Sequence, residues 1–304
     1  MKIAITGASG LIGTSLAEAL SADGHDVIRL VRRTPRTVEE HRWDPQHHRI
    51  DPAVLADADA VVNLAGTPIR PRPFTSSYKQ RLLSSRLDAT TTISDALAAA
   101  ATADPGRPRV LLSASAVGFY GDTGDREVTE QDPAGTDFLA RLCVEWEAAT
   151  ASAEVAGVRV VHLRTGLVLD RSAMLVKVLG PIFRLGLGGR MGSGRQFWPW
   201  ISLDDELGAI RHLLTADVSG PVNLTGPAPA TNAEFVAELG RQVHRPTVLP
   251  VPSFALTTAL GEFGRSSVAG GQRALPVRLE ESGYTFAHPD LPSALRNAFG
   301  TSPR

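Results

Sequence analysis

A doubly wound α/β fold, with a parallel sheet and a smaller mixed lobe toward the C-terminus, is predicted by three observations on this 304-residue chain. The first is the opening stretch IAITGASGLIG at 3–13, where a short apolar strand runs into Gly7-x-x-Gly10-x-x-Gly13 and then into an amphipathic segment. The second is an alternation of strand and helix patterns down to about residue 166, which favours a parallel sheet with helices on both faces. The third is the loss of that alternation afterwards, where Gly and Pro crowd the segment 180–194.

Taken in order, the strand patterns are Lys2–Thr6, Asp26–Leu30, Ala60–Asn63, Val110–Ala114 and Val158–Leu163. Helical patterns fall between them at Leu11–Ala22, Ser76–Ala103 and Phe138–Ala156. Alternation resumes weakly at Leu203–Leu214 (helix, with Ser202 as cap and Asp204 and Asp205 in its first turn) and Val222–Leu224 (strand). Asn232–Val243 reads as a helix capped by Thr231 or Asn232. The fold is therefore Rossmann-like. Residues 1–166 and 203–224 form the nucleotide-binding domain, and 167–202 with 225–304 form the smaller substrate lobe.

The glycine turn predicts the ligand. A turn of this kind lets backbone approach a pyrophosphate, and the helix N-terminus behind it offers unpaired N–H groups to the phosphates. Gly7, Gly10 and Gly13 carry that role. Strand two ends in Arg32-Arg33, where a NAD-specific site places an acid on the ribose 2′-hydroxyl; arginine suits a 2′-phosphate instead. The cofactor expected is NADP, with NAD the lesser alternative.

Composition narrows the rest. A hydrophobic fraction of 43% supports a sizeable core, and a net charge of −1 gives no reason to expect nucleic acid or a membrane surface as partner. The lone Cys143 excludes an intrachain disulfide and suits a reducing compartment. The chain opens directly on a strand, and no apolar run approaches the length of a membrane span, so a cytoplasmic location is expected. The eight histidines show no metal-ligand spacing, and no metal site is expected.

Several stretches resemble one family. TGASGLIG (6–13), DAVVNLAG (59–66), SASAVGFYG (113–121), LRTGLVL (163–169) and WPWISLDDELGAI (198–210) resemble the extended short-chain dehydrogenase/reductase superfamily, in its NAD(P)-dependent epimerase/dehydratase group. RWDP (42–45), SSRLDAT (84–90), LCVEWE (142–147), GGRMGSGRQFWPW (188–200), VNLTGPAPATNAEF and LPVRLEESGYTF are similar to an atypical "epimerase family" branch, labelled by homology as nucleoside-diphosphate-sugar epimerases. The resemblance implies that Ser9, Leu11 and Ile12 lie beside the glycines, that Arg32 and Arg33 meet the adenosine phosphate, and that Leu64, Ala65 and Gly66 pack under the cofactor. It also implies that Ser113 or Ser115 holds a substrate oxygen. Pairing of the helices 76–103 and 138–156 in a homodimer follows by analogy alone.

One departure outweighs the matches. Superfamily oxidoreductases use Tyr-x-x-x-Lys on the helix after the serine strand, the lysine lowering the tyrosine pKa. Here those positions fall on Leu139 and Cys143, and none of the three tyrosines (Tyr78, Tyr120, Tyr284) has Lys four residues on. Tyr120, just past the serine strand, is the remaining proton-relay candidate, with a ring merely packed on the cofactor as the alternative. Cys143 reads as a small buried residue. Of Glu145 and Glu147, the second, beside Trp146, is the inward candidate. Lys79 and Arg86 lie two turns apart on one helical face, and Arg190 and Arg195 flank a glycine-rich stretch that suits a lid. These four are the candidate binders of an anionic substrate. Trp198 and Trp200 read as core.

Two function classes follow. One is an NADP-dependent oxidoreductase or epimerase acting on a small anionic carbinol or carbonyl compound. The other is a catalytically weak NADP(H)-binding sensor or interaction protein.

Overall fold

The computed structural model describes residues 1–252, 258, 261–264 and 270–299. Strand β1 (Lys2–Thr6) leads through the glycine turn into α1 (Leu11–Ala22) and β2 (Asp26–Val31). Two short strands, β3 (Glu40–Asp44) and β4 (Arg49–Ile50), and a short helix, α2 (Pro52–Ala56), precede β5 (Ala60–Asn63). The long α3 (Ser76–Ala103) crosses to β6 (Val110–Ala116). After it come β7 (Glu127–Val128), α4 (Phe138–Ala148), α5 (Ala151–Val155) and β8 (Arg159–Thr165). Next are β9 (Leu167–Leu169), α6 (Met174–Arg184), β10 (Phe197–Trp198), β11 (Trp200–Ser202), α7 (Leu203–Thr215) and β12 (Gly220–Leu224). The chain continues with β13 (Ala230–Thr231), α8 (Asn232–Gln242), β14 (Arg273–Ala274), α9 (Val277–Glu281) and α10 (Leu291–Phe299).

Eight of these strands form one sheet in the order β12-β8-β6-β5-β1-β2-β3-β4. All neighbours are parallel except the edge pair β3–β4. This is a Rossmann-like α/β fold. Period-two alternation in the strands explains the two covered faces. Ile3 and Ile5 of β1 meet Leu16 and Leu20 of α1 on one side, with Ile210 and Leu213 of α7. Ala4, between them, faces Ala89, Ile93 and Leu97 of α3 on the other. The order reverses direction between β1 and β5, where such folds bind ligands beyond the strands' carboxyl ends.

A second core lies in the C-terminal half, where Phe183 of α6, Trp198, Trp200, Phe235 of α8 and Leu295 of α10 are all buried. Trp198 packs edge-on against Phe235 at 5.2 Å, and Trp200 Nε1 donates to the Ala228 carbonyl at 3.1 Å. Both indoles are core residues. Of the residues assigned from sequence to the smaller lobe, 253–257, 259–260, 265–269 and 300–304 lie outside the described ones.

The expected helix 138–156 is two helices. Thr150 breaks it because its hydroxyl donates to the Glu147 carbonyl at 2.8 Å, competing with the helical ladder. Helix α6 was hidden by Gly180-Pro181, which reads as a break but sits inside the helix. Ser202 caps α7 by accepting from Asp205 N at 3.0 Å, and Thr231 caps α8 in a reciprocal box with Glu234. Asp205 does more than occupy a first turn. Buried, it accepts from Ala287 N at 2.6 Å and His288 N at 3.0 Å and so fixes the C-terminal segment to α7.

Candidate cofactor and substrate site

The site begins at the switch point. Gly7 adopts a left-handed φ of 64°, and a Cβ there would lie 2.7 Å from the Leu64 carbonyl oxygen. Glycine is required both by the backbone conformation and by the close approach of the β1 and β5 ends. A Cβ on Gly13 would collide with the Gly7 carbonyl and with Ala8 Cα at 2.9 Å. Gly10 caps α1 with no side-chain hydrogen bond, and no acid stands in the first turn. Ser9 and Gly10 are exposed, and Leu11 and Ile12 half-buried. An uncapped helix N-terminus behind a turn too tight for side chains fits a pyrophosphate.

Leu64 and Ala65 are held against this turn by Thr6, whose Oγ1 accepts from both their backbone N–H groups at 3.0 Å. Thr6 in turn donates to Asn63 Oδ1 at 2.7 Å. Gly66 follows, exposed.

The two arginines after β2 part company. Arg33 is closed onto Glu40 by hydrogen bonds of 2.7 and 2.5 Å, which hold the Glu40 carboxyl at about 2 and raise Arg33 above its ordinary range. Arg32 is exposed, with no side-chain partner among the described residues. Of the pair, Arg32 is the one free to meet a phosphate.

Beyond β5 the strand ends carry the hydroxyls. Strand β6 runs two residues further than its apolar pattern suggests, so that both Ser113 and Ser115 are strand residues. Ser113 is buried and accepts from Asn63 Nδ2 at 3.4 Å, within a network that continues to Thr90 and Trp146. Ser115 donates to Glu147 Oε1 at 2.6 Å. Glu147, the inward member of its pair, is gripped by Arg164 through Nε to Oε1 at 2.8 Å and Nη2 to Oε2 at 2.9 Å. Arg164 also donates to Tyr120 Oη at 2.9 Å, and Tyr120 donates to Asn223 Oδ1 at 2.8 Å. Burial drives the Tyr120 hydroxyl up to about 12. Ser115 and Tyr120 are thus joined through one buried ion pair, with Tyr120 directed into the interior.

Leu139 packs by the Val117–Tyr120 turn, its Cβ 3.6 Å from where a Cβ on Gly118 would be. Cys143 is fully buried, its thiol pushed up to about 12 by burial and by the Glu147 carboxylate. It is a packing residue.

The four candidate cations are not brought together. Lys79 is ion-paired to Glu262 at 2.6 Å and lies 4.8 Å from the Phe138 ring centre. Arg86 is buried against Gly66. Arg195 is exposed and reaches Asp125 at 3.4 Å, beside a groove of about 290 Å³ that Arg273 and Phe197 also line. Arg190 is exposed with no side-chain partner among the described residues. Nor is the glycine-rich stretch a free lid. Gly192 N donates to the Val251 carbonyl at 2.8 Å and Met191 N to Asn232 Oδ1 at 2.8 Å, so backbone bonds tie it down.

Sequence reasoning missed Arg164, which organises the interior. Its signal was an arginine in the otherwise apolar strand VVHLRT, a position where a charge needs a buried partner. It also missed Glu206, fully buried at the start of α7 with one partner, Thr165 Oγ1 at 2.9 Å. Among the described residues no group of three His, Cys, Asp or Glu side chains could hold a metal ion, and no helix is long and apolar enough to cross a membrane.

The sequence model of the NAD dependent epimerase/dehydratase family matches residues 3–225, and one described as a domain of unknown function (DUF1731) matches 251–298. An epimerase family protein of Mycobacterium bovis is 49% identical over 294 residues, spanning 96% of each chain. The human epimerase family protein SDR39U1 is 36% identical over 300 residues, spanning 97% of this chain and 99% of its own. The crystal structure of human SDR39U1 with NADPH superposes with a TM-score of 0.84 at 32% identity, over 98% of this chain and 99% of that one. A nucleoside-diphosphate sugar epimerase from Corynebacterium glutamicum gives 0.80 at 33% identity, over 99% of this chain and 58% of that one. The glycine turn at the β1–β5 switch point and these matches together place the chain in the NAD(P)-dependent epimerase/dehydratase family.

Proposed function

We propose that this protein is an NADP(H)-dependent oxidoreductase or epimerase acting on a small carbinol or carbonyl compound that carries a phosphate or carboxylate. The observation that carries the reading is the α1 N-terminus without a side-chain cap behind Gly7 and Gly13, with Arg32, just past the end of β2, unpaired among the described residues. Gly7, Ser9, Gly10, Leu11, Ile12 and Gly13 hold the pyrophosphate; Leu64, Ala65 and Gly66 form the floor; Arg32 takes the 2′-phosphate. The NADPH carried by the human relative's structure supports the same choice.

The bound dinucleotide supplies or accepts a hydride. The chain's own part is to hold the substrate oxygen and its proton. Ser115 is the hydroxyl for that work. Its proton already lies toward Glu147 Oε1, which leaves the Ser115 lone pairs to accept from a substrate hydroxyl. Ser113 and Tyr120 support it from the interior. Arg195 and Arg190 are the exposed anion binders, and the Arg195–Asp125 contact at 3.4 Å is weak enough for an anionic ligand to displace.

A second reading is favoured by one observation. Leu139 and Cys143 stand where a Tyr/Lys pair is expected, and the Tyr120 hydroxyl is spent on Asn223. This suits a protein that binds NADP(H) and turns over little. Two measurements decide. NADPH and NADH titrations by fluorescence test the cofactor, with equal affinity or tighter NADH sinking the NADP assignment. A screen of phosphorylated and carboxylated alcohols for NADP⁺ reduction tests turnover, with failure throughout favouring the sensor.

A further inference from the structure

Helix α6 buries Val176, Leu179 and Phe183 in the second core, as an amphipathic helix should. Its outer face, ordinarily polar in a surface helix, is apolar too. Met174, Val178, Ile182 and the C-cap Leu185 follow one another at helical spacing and are 40–74% exposed, with Lys177 and Pro181 beside them. The stripe continues past the helix. Leu187 N donates back to the Ile182 carbonyl at 3.1 Å, and Arg245 Nε donates to the Arg184 carbonyl at 2.9 Å. Gly189 bridges to Val248 and approaches the Leu249 carbonyl too closely for any Cβ. Leu187, Val248 and Leu249 are exposed as well. Seven of the eleven exposed large apolar side chains among the described residues thus share one surface, which is concentration and not scatter.

The charges in these segments have one sign. Residues 171–203 and 239–252 contain seven arginines and lysines and no Asp or Glu. A net charge of −1 for the whole chain therefore conceals a basic surface balanced by an acidic remainder. Arg241 is held by Glu238 at the border, while Lys177, Arg184 and Arg245 are exposed. Composition shows what such a surface fits. From 174 to 191 the side chains are hydrocarbon, methionine, glycine, proline and three cations, with no neutral hydrogen-bonding side chain. A protein interface is set by directional hydrogen bonds at its rim, which this stretch cannot offer through neutral side chains. A lipid–water interface needs only what is present: apolar side chains for the acyl boundary and cations for the phosphates.

We propose that this surface docks on an anionic bilayer. Met174, Val178, Ile182 and Leu185 enter the boundary between headgroups and acyl chains, and Lys177, Arg184 and Arg245 meet the lipid phosphates. The 11 residues of α6 rise about 16 Å, roughly half a hydrocarbon core, so the helix lies in the interface plane and does not span. The inference is independent of the cofactor reading and needs neither Arg190 nor Arg195.

Flotation of the intact chain with vesicles tests this. Vesicles of equal parts phosphatidylglycerol and phosphatidylcholine carry the protein, phosphatidylcholine vesicles do not, and salt of about 0.5 M releases it. Leu185→Ser, at a side chain 74% exposed and so removable without unfolding, lowers the affinity about tenfold or more. Lys177→Gln and Arg184→Gln lower it about fivefold each. Val155→Ser, at an apolar side chain 90% exposed on α5, leaves it unchanged. All four variants keep the parent's thermal midpoint. Failure of the parent to float with anionic vesicles overturns the proposal, and leaves a protein with an acidic face as the occupant. Equal flotation with both kinds of vesicle overturns it as well, as does binding that Leu185→Ser leaves intact, which reduces the contact to diffuse charge. A parent dimer that Leu185→Ser dissociates, with no flotation, assigns the face to a second copy instead.

Discussion

Arg33 and Glu40 form a two-pronged ion pair, 2.7 and 2.5 Å, immediately beyond β2. Its consequence falls on the neighbour: with Arg33 committed, Arg32 is the cation left for a 2′-phosphate. Arg32→Asp should therefore weaken NADPH binding by about 10- to 100-fold, the scale of a lost charge-assisted contact, and reverse the preference over NADH. Arg33→Ala should change it far less. Fluorescence titration of both variants checks the difference, and equal losses would refute the division of labour.

Gly13→Ala should remove cofactor binding through geometry. Its Cβ would lie 2.9 Å from Ala8 Cα, backbone that cannot move without opening the turn. The cost expected is about 1–3 kcal/mol of stability, as for overpacking, together with loss of measurable NADPH affinity. Denaturant unfolding and titration on the same sample read the two effects. An unchanged affinity would show that the turn does not hold a pyrophosphate.

Glu147→Gln should destabilise by about 3–5 kcal/mol, because it leaves the buried Arg164 guanidinium facing a neutral amide. Arg164→Met on top of it should recover part of the loss, since the unpaired charge is then gone. Urea unfolding of the single and double variants measures this. If turnover is found, Ser115→Ala should lower kcat with the fold intact, and an unaltered kcat would remove Ser115 from the proton path.

Glu206 should give the protein an alkaline weakness. Burial raises its carboxyl to about 8 against an ordinary 4.5, with Thr165 its one hydrogen-bond partner among the described residues. The folded state therefore favours the protonated form. Its contribution is complete below the unfolded pKa near 4.5 and is lost as pH climbs toward 8, at about 1.4 kcal/mol per unit. Glu206→Gln should flatten that slope and raise stability at pH 8–9. Thermal melts from pH 5 to 9 on both chains decide, and parallel profiles would show that Glu206 is ionised in the fold.

Cys143→Ala should leave NADPH affinity nearly intact and cost only packing. With its pKa pushed up to about 12, the thiol should also react with disulfide reagents only as fast as the protein unfolds. A large loss of affinity in a folded variant would make it a site residue.

Much of the nucleotide half was legible in the chain because its signals are local. A strand, three spaced glycines and an amphipathic helix each follow from neighbours a few residues apart, and Gly7 and Gly13 are the residues that the backbone at the switch point demands. Ser202 and Thr231 were readable as caps for the same reason. Short-range rules ran out at Gly180-Pro181, where tertiary packing of Leu179 and Phe183 carries a helix through residues that break isolated ones.

The partners of charges were not legible, because an ion pair joins residues far apart in sequence. Only the fold brings Glu147 to Arg164 and Ser115, leaves Lys79 to Glu262, and strands Arg86 among carbonyls and an indole. By itself the sequence determined six of the sheet's eight strands, the turn and the class of cofactor, since periodicity and glycine geometry are properties of the local chain; the edge strands β3 and β4 were not legible in it. Tertiary structure alone decided which of the arginines and hydroxyls remain free to act, since desolvation and pairing depend on what each side chain meets across the core.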